Sequence, residues 1–106
     1  MKRLRKYETL ILLSPDMSSA ERQEILDELK KVIEEEFEGR LLEIDDWGIK
    51  ELAYPVEKHT RGHYVRIEYG VPGNAIKEIE RRLRLNEEVF KFLTVKLSDK
   101  FEIEEG

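Results

Sequence analysis

Apolar residues along the chain switch between two periods, and the switches mark six elements. Residues 6–13 alternate, with Tyr7, Thr9, Ile11 and Leu13 on one side and Glu8, Leu10 and Leu12 on the other. That is a strand with apolar residues on both faces, ended by Ser14-Pro15. Ser18 followed by Glu21 is a capping box. Ile25, Leu26, Leu29, Val32, Ile33 and Phe37 then recur at helical spacing, and Gly39 is a natural stop. Leu41, Leu42 and Ile44 open a second strand that runs into Trp47-Gly48-Ile49-Lys50-Glu51-Leu52-Ala53-Tyr54-Pro55. Gly48 allows a bend there, and Pro55, lacking an amide donor, suits the end.

The second half repeats the pattern. Polar residues Glu57 to Arg61 predict a hairpin loop. His63 to Val71 alternate as a third strand, with His63, Val65, Ile67 and Tyr69 on one face and Tyr64, Arg66 and Glu68 on the other. Val71-Pro72-Gly73-Asn74 reads as a turn, with Asn74 positioned to cap a helix whose inner face is Ile76, Ile79 and Leu83. Asn86 ends that helix, and Val89 to Leu97 is a fourth strand. Residues 1–98 then make one domain, and residues 99–106 a short acidic tail.

Strand-helix-strand twice over predicts an α+β fold of the ferredoxin-like βαββαβ kind. Right-handed split crossovers give a four-stranded antiparallel sheet with both helices on one face. The other face is left open, and its expected side chains are Leu10, Leu12, Tyr64, Arg66, Leu93 and Val95. An exposed apolar patch of that kind marks a binding surface. Trp47 and Tyr54 are expected to pack in the core or at its rim around the bend, with Trp47 left open between packing inward and meeting a partner, and Phe37, Phe90 and Phe92 to join the core.

Composition narrows the classes. With 106 residues, 40% of them hydrophobic, the chain can bury one modest core. It has no cysteine, hence no disulfide or thiol chemistry, and no apolar run approaching the roughly 20 residues of a membrane span. The basic start, Met1-Lys2-Arg3-Leu4-Arg5-Lys6, is not followed by a small-residue cleavage site and is not expected to be a signal peptide.

The net charge of −5 is unevenly spread. Residues 1–15 carry +3, residues 16–46 carry −8, residues 47–97 carry +3 and residues 98–106 carry −3. A nucleic-acid binder needs a basic face rather than a basic total. Lys2, Arg3, Arg5 and Lys6 form a dense cationic arm, either solvated or laid against phosphates. Arg81, Arg82, Arg84 and Lys91 gather where the second helix meets the last strand; they complement the helix dipole or form a second phosphate contact.

Catalytic constellations are missing from the sequence. His59 and His63 are four apart but flank a loop entering a strand, with no carboxylate or thiol between them, so no metal or other cofactor is expected. The loop after the first strand, Ser14-Pro15-Asp16-Met17-Ser18, has an acid and no Arg or Gly, which argues against acylphosphatase-type chemistry. Arg61-Gly62-His63-Tyr64-Val65-Arg66-Ile67 starts like the third-strand signature of RNA-recognition motifs and then departs from it.

Several stretches together resemble one family. They are Arg5-Lys6-Tyr7-Glu8, Pro15, Trp47-Gly48, Leu52-Ala53-Tyr54-Pro55, Gly62-His63-Tyr64-Val65 and Arg81-Arg82-Leu83-Arg84-Leu85-Asn86 before Val89. The chain is similar, over about residues 5–97, to the sixth small-subunit ribosomal protein of bacteria. The resemblance implies a non-catalytic structural protein of the ribosome, in the cytoplasm. It implies binding to the central domain of small-subunit (16S) rRNA as a heterodimer with the eighteenth small-subunit protein. No membrane and no small-molecule substrate are implied. By position it makes Lys6 and Arg5, Lys50, Arg84 and Lys91 rRNA-contact candidates, beside Lys2 and Arg3 of the arm. It makes Leu10, Leu12, Tyr64, Arg66, Leu93 and Val95 the seat of the partner protein. Two other readings stay in play: a self-associating module that uses the same face without RNA, and a small phosphate-handling enzyme.

Overall fold

The computed structural model describes residues 2–103, and the side chains of residues 4–101. Four strands, β1 (Lys2–Leu13), β2 (Arg40–Val56), β3 (His59–Val71) and β4 (Val89–Ile103), form one antiparallel sheet in the order β2-β3-β1-β4. Two helices, α1 (Ser19–Lys31) and α2 (Ile76–Leu85), cover one face. This is the ferredoxin-like arrangement that the alternation predicts.

The core lies between helices and sheet. Tyr7, Ile11 and Leu13 of β1 and Val65, Ile67, Tyr69 and Val71 of β3 meet Ile25 and Leu29 of α1 and Ile79 and Leu83 of α2. A short chain of hydroxyls runs through this apolar layer. Tyr69 Oη lies 2.8 Å from Thr9 Oγ1, which lies 2.9 Å from Thr94 Oγ1. Burial pushes the Tyr69 hydroxyl up to about 12.

α1 starts as expected: Ser18 Oγ accepts from Glu21 N, and Glu21 Oε1 accepts from Ser18 N. It does not stop at Lys31 but winds on through one π-helical turn, Val32–Glu36. The residue with positive φ at its end is Glu38 (55°), not Gly39. Gly39 is needed for space: a Cβ there would collide with the Gly70 carbonyl of β3. The two helices are clamped by Arg82, whose guanidinium reaches Glu78 at 2.6 Å, Glu28 at 3.1 Å and Glu36 at 3.1 Å.

Several expectations are corrected. Asn74 caps no helix; it lies in a 3-10 turn, Gly73–Ala75, and α2 starts after Ala75 with no side-chain cap. The hairpin loop is shorter than the polar run 57–61. Glu57 (φ 49°) and Lys58 (φ 66°) alone make the turn, and His59 to Arg61 are already strand. The cationic run at the start is not a free arm: Lys2, Arg3 and Leu4 pair with Ile103, Glu102 and Phe101. β4 therefore continues six residues past Leu97, and residues 99–103 are strand rather than tail. Backbone hydrogen bonds accept charged residues as readily as apolar ones, so polarity hid both strand ends. Residues 104–106 of the expected tail lie outside the described residues.

Candidate functional site: the open face of the sheet

The uncovered face is built from alternate residues of β1, β3 and β4, joined by a tryptophan from β2. Cross-strand neighbours Leu10 and Leu93, and Glu8 and Val95, stand side by side, and Leu10 pairs with Arg66 across the β1–β3 ladder. Leu93 is 63% exposed and Val95 42%. Leu10, Tyr64 and Arg66 are half-buried on the same face. Leu12 departs from the expected exposed patch. It is only 5% exposed, because Gly62 lets its side chain pack close and Leu52, Tyr54 and Tyr64 surround it.

Trp47 is the residue whose placement the sequence leaves open. It does not pack inward: it is 46% exposed, with its ring centroid 6.5 Å from that of Tyr64. With Glu8, Leu10, Arg66, Leu93 and Val95 it lines a shallow cavity of about 150 Å³ on the open face. The cause is local. The β2–β3 register slips between Asp46 and Gly48, where Gly48 takes φ 80° and its N–H donates to Asp46 Oδ1 at 2.9 Å. That bulge turns Trp47 onto the sheet. An aspartate two residues before a glycine was the available signal.

Arg66 is the electrostatic centre. Its guanidinium donates to Glu8 at 2.6 Å, Glu68 at 2.8 Å and Asp45 at 3.1 Å, with Glu43 at 3.8 Å. These bonds hold the guanidinium well above its usual range and Glu68 below the usual carboxylate range. Lys6 joins at 3.4 Å from Glu68. Four carboxylates around two cations leave this half of the face net negative.

The candidate cations separate into two groups and two states. Arg5 and Lys6 lie near one end of the sheet. Lys50 (opposite Gly62) and Lys91 (opposite Leu12) lie near the other, roughly 20 Å away along β1. Arg5 rests against Gly73 of the turn before α2. Lys6 is engaged by Glu68. Arg84 is exposed at the end of α2, 5.8 Å over the Phe92 ring, and Lys91 stands 5.1 Å over the Tyr54 ring. Lys50, Arg84 and Lys91 have no carboxylate within ion-pair distance among the described residues. Arg81 and Arg82 do: together they pull Glu78 down to about 2. The side chains of Lys2 and Arg3 lie outside the described residues.

The two histidines are far from forming a metal pair. His63 is buried with Nε2 against Asp46 Oδ1, and His59 meets Asp16 at 3.1 Å. No cluster of three metal-ligating side chains occurs among the described residues, and no helix is long and apolar enough to cross a membrane.

The model of the family described as Ribosomal protein S6 matches residues 6–96. The chain belongs to the ribosomal protein S6 family. A small ribosomal subunit protein bS6 from Nitratidesulfovibrio vulgaris is 50% identical over 93% of this chain and 97% of its own length. Another bS6, from Solidesulfovibrio magneticus, is 52% identical over 92% of this chain and 95% of its own. The crystal structure of the 30S ribosomal protein S6 from Thermotoga maritima superposes with a TM-score of 0.81 at 27% identity, covering 88% of this chain and 87% of that one. Membership gives the chain a structural role in the small ribosomal subunit and makes it no enzyme.

Proposed function

We propose that the chain binds the central domain of 16S rRNA together with the eighteenth small-subunit ribosomal protein, as a heterodimer within the cytoplasmic ribosome. The observation that carries this reading is the composition of the open face. Leu10, Trp47, Leu93 and Val95 offer apolar area, and the carboxylates around Arg66 give it excess negative charge. A partner that itself holds RNA carries cations, and such a partner fits an apolar, net-negative seat. The same charge opposes a second copy of this chain, whose carboxylates would meet these.

Lys50, Arg84 and Lys91, which have no carboxylate within ion-pair distance among the described residues, are with Arg5 too few on an acidic protein to hold RNA tightly alone. The partner's cations complete the site. The test is a gel-shift titration with a central-domain rRNA fragment, using this chain, the partner and both, at two salt concentrations. A shift that needs both proteins is expected. Tight, salt-resistant binding by this chain alone overturns the joint site, and no shift in any lane leaves self-association as the better account.

A further inference from the structure

The open face has a second, chemically different end. β2 and β3 pair at Glu51 with Arg61 and again at Val56 with His59, so five steps along β2 match two along β3. The four residues Leu52 to Pro55 stand opposite the single Thr60, so this part of β2 bulges out of register at the start of the face. Leu52, Ala53, Tyr54 and Val56 line a cleft of about 180 Å³ with Leu12, Tyr64 and Lys91. Tyr54 is 64% exposed, and its ring stands with the Lys91 ammonium 5.1 Å from its centroid.

The charge here is opposite to that around Arg66. Lys91 and Lys50 are exposed, and neither has a carboxylate within ion-pair distance among the described residues. An aromatic ring beside an unpaired cation suits a ligand that is flat and anionic at once. A nucleotide is both: the base stacks on the ring and the phosphate meets the ammonium. A basic protein partner would be repelled at this end and attracted at the other.

We propose that the cleft between Tyr54 and Tyr64, floored by Leu12 and rimmed by Lys91, is a stacking site for an unpaired nucleobase of the bound RNA. Lys91 and Lys50 take the flanking phosphates. The open face is thus divided: protein over Trp47 and Arg66, RNA over Tyr54. This rests on the RNA-binding reading above and adds where on the face the RNA lies.

The test uses the full chain saturated with its partner protein and titrated with the central-domain rRNA fragment. Tyr54→Leu keeps an apolar side chain and removes the ring; it should weaken RNA binding roughly five- to a hundredfold. Tyr54→Phe should bind like the parent. Lys91→Gln should lower the slope of log affinity against log salt by about one. Partner affinity, measured calorimetrically without RNA, should be unchanged in all three. Ultraviolet cross-linking of the parent complex should attach RNA at Tyr54. If Tyr54→Leu leaves RNA affinity unchanged while the parent binds, the stacking site is wrong and the functional reading stands. If it weakens the partner instead, the cleft belongs to the protein interface. If the parent heterodimer binds no RNA, the functional reading falls and takes the stacking site with it.

Discussion

Asp46 is joined to the buried His63 by a 2.5 Å contact from its Oδ1 to Nε2, and the same oxygen accepts the Gly48 amide. One carboxylate oxygen therefore ties β3 to the bulge that presents Trp47. Burial raises the Asp46 pKa, but the hydrogen bonds from His63 and Gly48 outweigh it and leave the carboxylate below its ordinary value. A depressed carboxylate stabilises the fold above its unfolded pKa, and that contribution is lost as pH falls through the folded value. His63→Leu should lower stability by about 1 kcal/mol, a modest figure because Asp46 is half exposed to water. It should also free the bulge, shifting Trp47 emission to the red. Denaturation followed by Trp47 fluorescence checks both, and an unchanged spectrum would mean the bulge holds without His63.

His59 gives the opposite pH dependence. The Asp16 carboxylate, 3.1 Å from Nε2, holds the imidazole above its ordinary value, with the Glu57 carbonyl on Nδ1 assisting. A raised histidine contributes fully below about pH 6.5, its unfolded value, and loses the contribution as pH rises through the folded one. The melting temperature should fall as pH rises from about 6.5 through the folded value, and His59→Gln should flatten that segment. An identical slope in the variant would show that another group carries it.

Much of this arrangement is legible from the order of residues. The helix positions Ile25, Leu29, Ile79 and Leu83 and the alternation from His63 to Tyr69 predict the core layer, because one buried face imposes one period. The same alternation places Leu10, Tyr64, Leu93 and Val95 on the open face. Trp47 and Tyr54 escaped because both sit beside register slips, where alternation no longer reports direction. The partition of cations escaped for another reason. Arg66 and Arg82 look like Lys91 and Arg84 in sequence, and it is largely the tertiary contacts with Glu8, Glu28 and Glu36 that set a cation held by carboxylates apart from one resting on an aromatic ring.

The chain of hydroxyls from Tyr69 through Thr9 to Thr94 should respond unequally to removal of its members. Tyr69→Phe deletes an end and leaves the two threonines bonded, at a cost of about 1 kcal/mol. Thr9→Val deletes the middle, removes two hydrogen bonds at once and leaves the buried Tyr69 hydroxyl only its interaction with Thr94, costing roughly 1–3 kcal/mol. Urea denaturation of the two variants gives the order, and a costlier Tyr69→Phe would contradict it.

Leu93→Glu tests the partner seat. Leu93 is exposed enough that the substitution should leave the melting temperature nearly unchanged. Partner affinity should fall at least about tenfold, since a charge enters apolar contact area beside carboxylates. Trp47, the single tryptophan of the chain, should shift to the blue when the partner binds the parent and should not do so with the variant. Parent-like affinity in Leu93→Glu would move the interface off this part of the sheet.

The hairpin between β2 and β3 turns on two residues held in a costly conformation. Glu57 and Lys58 both have positive φ, 49° and 66°, the signature of a type I′ turn, and neither is Asn or Gly. A left-handed conformation costs an ordinary L-residue roughly 1–2 kcal/mol, much less for Asn and none for Gly. The double substitution Glu57→Asn with Lys58→Gly should therefore raise stability, by about 1 kcal/mol after the extra chain entropy of glycine is set against the relief of strain. The His59 Nδ1 contact survives, because it uses the backbone carbonyl at position 57 rather than the side chain. Thermal unfolding at one pH measures the gain, and a lower melting temperature would show that the Glu57 or Lys58 side chain contributes more than its backbone costs.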